Sequence, residues 1–523
     1  MKPDILRKKV YDMLVKADDG HCGSVMSLIE ILCAVNDSYD LKRDKLIISK
    51  AHGAMAIYPI LQELGLVSQE DIDTFRMPGA RLTMFPNMTI PGVHATLGSM
   101  GHGLGIAAGM AMANPDINVI CVMGEGEMYE GSVWEAMLFI KHHKLPNLKI
   151  IIDRNGYVVL GRADELLRLT PVRDKFTSLG FTVRVADGHN VDHLQETLAV
   201  AQVVIALTIK GKGVPAWEGK PESHYWIPVP PAFRMVPRQS GEHTMTFQRD
   251  VFIEVIHGAA LRDPDVLFLT ADFGAPALDT FKAACPKQVI HMGISEQNMV
   301  SVATGLALSG KKVYVYAMSP FFERCYEQLK VAAIQGAPLT VVSVGGGLGY
   351  AGAGPSHYAL EDIALYRTLP GVEVYSASDT TLAAELARLT VRDPKFRVIR
   401  LERSDKMLYN VGVNLSEGYV YHEGRGWPVV TCGYLVDYFL RRGRPVYDVF
   451  HIKPVPQLLL AELALYPDIY TYEEQFLPGG FGSAIVEALG DYGIRTRVFR
   501  RGMPERPLIE NGTRDQLLES AWG

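Results

Sequence analysis

At 523 residues the chain is longer than one hydrophobic core usually organises, so two to four domains are expected. Its 48% hydrophobic and 21% charged residues are those of a folded globular protein, and a net charge of −6 argues against the basic surface that nucleic acid requires. Six cysteines (Cys22, Cys33, Cys121, Cys285, Cys325, Cys432) lie without CxxC spacing, which speaks against a zinc site or a disulfide framework and for a reducing compartment. No apolar run approaches the ~18 residues of a membrane span, and MKPDILRKKVYDML lacks the apolar run of a signal peptide. No membrane partner and a cytoplasmic location are therefore expected.

In chain order, INVICVM at 117–123 and LKIIID at 148–153 read as buried parallel strands, and SVWEAMLFIKHH between them has apolar residues at helical spacing. That is one α/β unit of a parallel sheet. From Glu218 to about Thr244 the chain turns proline-rich and reads as an extended linker, not a packed element. VLFLTAD, KKVYVYAM and PLTVVSV are the strands of a second α/β segment. A polar interval near 404–428 leads to a third, with PVVTCG, VYDVF and DIYTYEE as strands and GSAIVEALG as a helix. The expected architecture is three consecutive α/β domains with mainly parallel sheets, over 1–230, 245–405 and 425–523.

Two segments fall at strand ends, where open α/β sheets bind ligands: GEGEMYEG at 124–131 and Asp153-Arg154-Asn155-Gly156. A carboxylate and a side-chain amide oxygen brought together suit a hard cation such as Mg²⁺ or Ca²⁺. Glycines around Glu125 let backbone N–H groups approach phosphate oxygens. Taken alone, the two segments read equally as a glycine turn followed by a surface asparagine.

The spacing of Glu125 and Asn155, thirty residues apart, resembles the diphosphate–metal motif of thiamine-diphosphate enzymes, and ordered motifs extend the resemblance to the transketolase family over nearly the whole chain. Asp19-Gly20-His21-Cys22-Gly23, Ser49-Lys50-Ala51-His52-Gly53 and Thr96-Leu97-Gly98-Ser99-Met100-Gly101-His102-Gly103 are similar to that family's first-domain motifs, as is Ile209-Lys210-Gly211-Lys212-Gly213 with His224. Thr270-Ala271-Asp272, Gly293-Ile294-Ser295-Glu296-Gln297-Asn298, Ser319-Pro320-Phe321-Phe322 and Gly354-Pro355-Ser356-His357 match its second domain, and HIKP and EEQFLPGGFGSA its third.

The resemblance implies a thiamine-diphosphate-binding fold and ketol transfer from a ketose to a sugar-like or aldehyde acceptor. It implies a metal site at Glu125, Asn155 and Tyr157, and cofactor contacts at Gly98, Met100, Gly124, Gly126, Asp272 and Phe321, the last stacking on the pyrimidine. Glu296 would be the carboxyl poised on the aminopyrimidine. His21, His52, His224 and His357 would be catalytic, imidazole being suited to proton movement near neutrality. A homodimer with active sites at the interface is also implied.

The chain departs from the family at its substrate positions. Phe85 stands where a substrate histidine is expected, Ala353 replaces an acid that reads sugar hydroxyls, and Phe247 and Ser343 fall where an arginine and a histidine clamp phosphate. Arg403 is left as the anion partner. The expectation is an acceptor other than a simple sugar phosphate, or one held differently, because each lost charge-assisted contact is worth roughly 1.5–3 kcal/mol. Two alternatives stand beside ketol transfer. A decarboxylating ligase like deoxyxylulose-phosphate synthase is disfavoured by the absence of arginine in Gly345–Gly349, and a noncatalytic cofactor-binding homologue by the retained Glu296 and histidines. A nicotinamide dehydrogenase is weaker still, since no GxGxxG opens a helix after the first strand.

Overall fold

A computed structural model describes residues 1–18, 20–77, 79–224, 247–409, 412–510 and 512–522. The chain divides into two compact units. One is 1–240 with the short segments 293–295 and 352–356; the other comprises 241–292, 296–351 and 357–523.

The first unit is built on a five-stranded, wholly parallel sheet: β1 (Lys45–Ile48), β2 (Val119–Gly124), β3 (Leu148–Arg154), β4 (Val183–Asp187) and β5 (Val203–Leu207), in the order β1-β2-β3-β5-β4. Every residue of β2 is buried, as expected of a parallel strand whose crossover helices cover both faces. The helix Gly131–His143 makes the crossover from β2 to β3, and register pairs Gly124 with Asp153. The two motif-bearing strands thus end side by side.

The second unit holds two sheets. The larger contains β6 (Val266–Thr270), β7 (Val289–His291), β8 (Lys312–Met318), β9 (Leu339–Val344), β10 (Glu373–Ser376) and β11 (Arg397–Leu401). The smaller contains β12 (Val420–His422), β13 (Val429–Thr431), β14 (Val446–Asp448), β16 (Asp468–Phe476) and β17 (Arg497–Met503), in the order β12-β14-β13-β16-β17. Between β14 and β16, strand β15 (His451–Lys453) leaves this sheet and pairs antiparallel with β10, closing the larger sheet as β15-β10-β11-β9-β8-β6-β7. One apolar cluster accordingly runs from Leu269 and Val341 to Val430 and Ile469. The architecture is α/β with mainly parallel sheets, as expected.

Three local expectations change. Residues 218–224 are not an extended linker: Pro221–His224 forms a turn that buries Ser223 and His224, because Gly211 and Trp217 fold this stretch back on the first unit. The rest of the expected linker, 225–244, lies outside the described residues. The polar interval 404–428 contains β12, an antiparallel edge strand on β14. The HIKP stretch, assigned to the third segment, supplies β15 to the second sheet. No described helix is long and apolar enough to cross a membrane, and all six cysteines are buried and free.

Candidate active site

At the carboxyl end of β2, Glu125 is 4% exposed, and one of its oxygens accepts the Gly156 N–H while the other lies 3.5 Å from Arg154 Nε. Burial pushes its carboxyl up to about 7 against those two partners. Asn155 Oδ1 accepts the Tyr157 N–H at 3.1 Å, so both side-chain oxygens belong to one turn at the end of β3. The Tyr157 ring sits between Arg162, at 5.5 Å, and Lys210, at 5.8 Å. Gly126 has room for little else: a Cβ there would lie 3.0 Å from Val158 and 3.1 Å from Ile294. At Gly98 a Cβ would stand 2.0 Å from Ser356 Oγ, so the absence of a side chain is what admits Ser356. Met100, two residues on, is partly buried. A Cβ at Gly124 would touch only the Lys50 stem, at 3.4 Å.

Three separate segments bring His21, His52 and His224 together. Their ring centroids are 5.6 Å (His21–His52), 5.0 Å (His21–His224) and 5.2 Å (His52–His224) apart. The Phe85 ring stands edge-on to His21 at 5.6 Å. Burial drives His21 down to about 3, with Arg76, Lys210 and Lys50 adding to the effect. His224 falls well below its ordinary value through burial and then through its two histidine neighbours. Rings held neutral can each donate one hydrogen bond and accept another.

In the second unit Glu296 opens the helix Glu296–Leu308, is 3% exposed and lies 3.5 Å from Arg324 Nη1. Phe321, on the short helix Ser319–Glu323, meets the His357 ring at 5.6 Å and 71°. Asp272 follows β6 with φ +62°, and its Oδ1 lies 3.1 Å from His291 Nε2. Left-handed backbone in a residue other than glycine is strained, a pattern that clusters at functional turns.

The expected substrate positions divide. Phe85 borders the histidines. Ala353 packs, partly buried, on the apolar core of the first unit. Ser343 is fully buried, its hydroxyl 2.6 Å from Ser319 Oγ and 3.1 Å from the Tyr366 hydroxyl. Phe247 caps the helix Gln248–Ala260, and Arg249 lies over its ring at 5.6 Å and over Phe273 at 5.9 Å. Arg403 lies over Tyr350 at 5.5 Å. Burial raises the Tyr350 phenol, and Arg249 and then Arg403 oppose that rise.

Residues 3–226 match the family description "Transketolase, thiamine diphosphate binding domain", and 247–407 match "Transketolase, pyrimidine binding domain". One of the subunits of the apulose-4-phosphate transketolase from Phocaeicola vulgatus is 31% identical over 47% of this chain and 94% of its own length. The chain belongs to the transketolase family. Transketolase-like protein 2 of Mus musculus is 29% identical over 94% of this chain and 91% of that protein. Human transketolase is 26% identical over 99% and 96%. As a transketolase-family protein the chain carries a thiamine-diphosphate-binding domain.

The residues present fit that cofactor. Glu125 and Asn155 offer hard oxygens at adjacent strand ends, a set a divalent cation would complete with diphosphate oxygens. Arg249 is a functional candidate that the sequence motifs do not single out. The family's early arginine falls at Phe247, but the guanidinium two residues on approaches the same aromatic group as Arg403. Arg403 is thus not the sole cation there. The signal lay in the Gln-Arg-Asp run that opens a helix.

Proposed function

We propose that the chain transfers a two-carbon ketol unit from a ketose donor to an aldehyde acceptor, with thiamine diphosphate and Mg²⁺ or Ca²⁺ held at Glu125, Asn155 and Tyr157. The observation that carries this reading is the convergence of His21, His52 and His224 in the unit that presents Glu125 and Asn155. Bound there, thiamine diphosphate would supply a nucleophilic carbon able to attack a ketose carbonyl. Glu296 would hold a proton at a pyrimidine nitrogen, and Phe321 would support that ring. The histidines would donate hydrogen bonds to the ketose oxygens and orient the hydroxyl whose proton leaves as the carbon–carbon bond breaks. The backbone around Gly126 would lie against the diphosphate, the Gly124 N–H being already donated to Glu127.

Arg249 and Arg403 around Tyr350 support an anionic substrate end, so the proposed acceptor is a phosphorylated aldose held differently from the family's clamp. The Phocaeicola relative is named for a sugar phosphate. The reading includes a homodimer, supported by apolar residues exposed on the helices Gly131–His143 (Leu138, Phe139) and Tyr326–Ile334 (Val331, Ile334).

A screen of aldehydes with one ketose donor, products identified by mass, tests the reaction. Arg249→Ala and Arg403→Ala should each raise KM for a phosphorylated aldose about 10-fold or more. Equal kinetics on phosphorylated and dephosphorylated aldoses would remove the anion site from the proposal. Carbon dioxide release from pyruvate would move it to the decarboxylating class, and absence of cofactor binding to a noncatalytic role.

A further inference from the structure

Beneath the strand ends of the first unit lies a buried charge pair that the proposed chemistry does not use. Asp153, next to last in β3, is 1% exposed, and Lys50, two residues before His52, is 2% exposed. Lys50 Nζ donates to Asp153 Oδ2. The same oxygen accepts from Ser27 Oγ at 2.7 Å, and Oδ1 accepts from Thr208 Oγ1. Lys50 Nζ also donates to the Ser24 carbonyl and to Ser27 Oγ, each at 3.1 Å. Every partner lies on a segment that carries a proposed site residue. Ser24 and Ser27 follow His21, Lys50 precedes His52, Thr208 opens the stretch to Lys210 and His224, and Asp153 leads into Asn155.

A buried ion pair adds little stability over a well-packed apolar pair, because desolvation offsets the attraction. A fully satisfied polar network is better suited to holding one geometry. We infer that Asp153 is a positioning residue that registers the three histidine-bearing segments against the metal-bearing strand end, with Lys50 as its counter-ion. The catalytic consequence rests on the proposed function; the registration of the histidines does not.

Two variants of the full chain separate these. Asp153→Asn keeps the size but removes the counter-ion of Lys50, and Thr208→Val removes one donor and strands no charge. The first readout needs no cofactor: NMR of ¹³C-labelled histidine. The His21, His52 and His224 resonances should shift in both variants, although none is substituted, while His142 and His143 stay in place. The second is calorimetry with thiamine diphosphate and Mg²⁺. Asp153→Asn should weaken apparent affinity about 10–100-fold, as loss of an outer-shell partner does, and lower kcat more than it changes the ketose KM. Lys50→Arg should retain more affinity than Lys50→Met. Unmoved histidine resonances with wild-type cofactor affinity would overturn the inference, even with a lowered Tm. If Asp153→Asn fails to fold, Thr208→Val decides alone. If the wild type binds no thiamine diphosphate, the proposed function falls, and the histidine resonances then decide the inference.

Discussion

Glu125 and Glu127 stand two residues apart in one Gly-Glu-Gly-Glu run, both buried, with different work. Glu127 accepts from Ser49 Oγ and from the Gly124 N–H at 3.0 Å and the Gly101 N–H at 3.3 Å, bracing the loops on either side. Glu125 faces Gly156 and Arg154 at the adjoining strand end. Motif spacing singled out Glu125, yet nothing in the run itself assigns Glu127 its bracing part, since its partners Ser49 and Gly101 are distant in sequence. Arg249 was hidden for a related reason. It lies over the rings of Phe247 and Phe273 and 3.6 Å from its neighbour Asp250, contacts that leave no spaced motif of charge. His21 and His52 were legible beside glycines and His224 only through its motif, whereas their packing with one another and with Phe85 was not. At this scale Glu296→Gln and His224→Ala should each lower kcat about 10²–10⁴-fold, read in steady-state assays at saturating ketose, with the circular dichroism of the fold preserved.

Among the elements, strands rich in β-branched residues were visible, as in β2, β3, β8 and β9 and even the three-residue β13 and β14 within PVVTCG and VYDVF, whereas β17, broken by its arginines, was not. The three-residue strands β12 and β15 were not. A segment that short shows no period, and its partner strand decides whether it is a strand at all. The folded stretch after β5 escaped notice because its glycines and prolines carry the composition of a loop. Gly211 makes the turn possible: φ is +77°, and a Cβ would stand 2.4 Å from the Trp217 carbonyl oxygen. Backbone cannot yield as a side chain tip does. Gly211→Ala should therefore destabilise the first unit by about 1–3 kcal/mol, seen as a lower urea midpoint at unchanged m-value.

On the scale of the whole second unit, its two sheets meet at a buried acid. Asp448, the last residue of β14, accepts from Ser378 Oγ, beyond the end of β10, and from the Tyr409 hydroxyl. Burial nonetheless pushes its carboxyl up to about 7. An unfolded aspartate titrates near ~4. Between those values the folded state holds the extra proton, so this group's contribution is fully present below about pH 4 and is lost as pH rises through 7. Asp448→Asn cannot titrate. Its stability relative to wild type should rise from pH 4 to pH 8 by up to about 4 kcal/mol, measured as the Tm difference across that range. A flat difference would remove Asp448 from the account.

The short strand His451–Lys453 also governs where the polypeptide can be divided between genes. A break within 225–246 keeps every sheet whole, with five strands on one product and all seven and five on the other. A break between β11 and β12 would take β15 from β10 and leave a bare edge that invites pairing with other chains. Among the described elements, a division after the first unit therefore leaves every strand with its partner, and one between β11 and β12 does not.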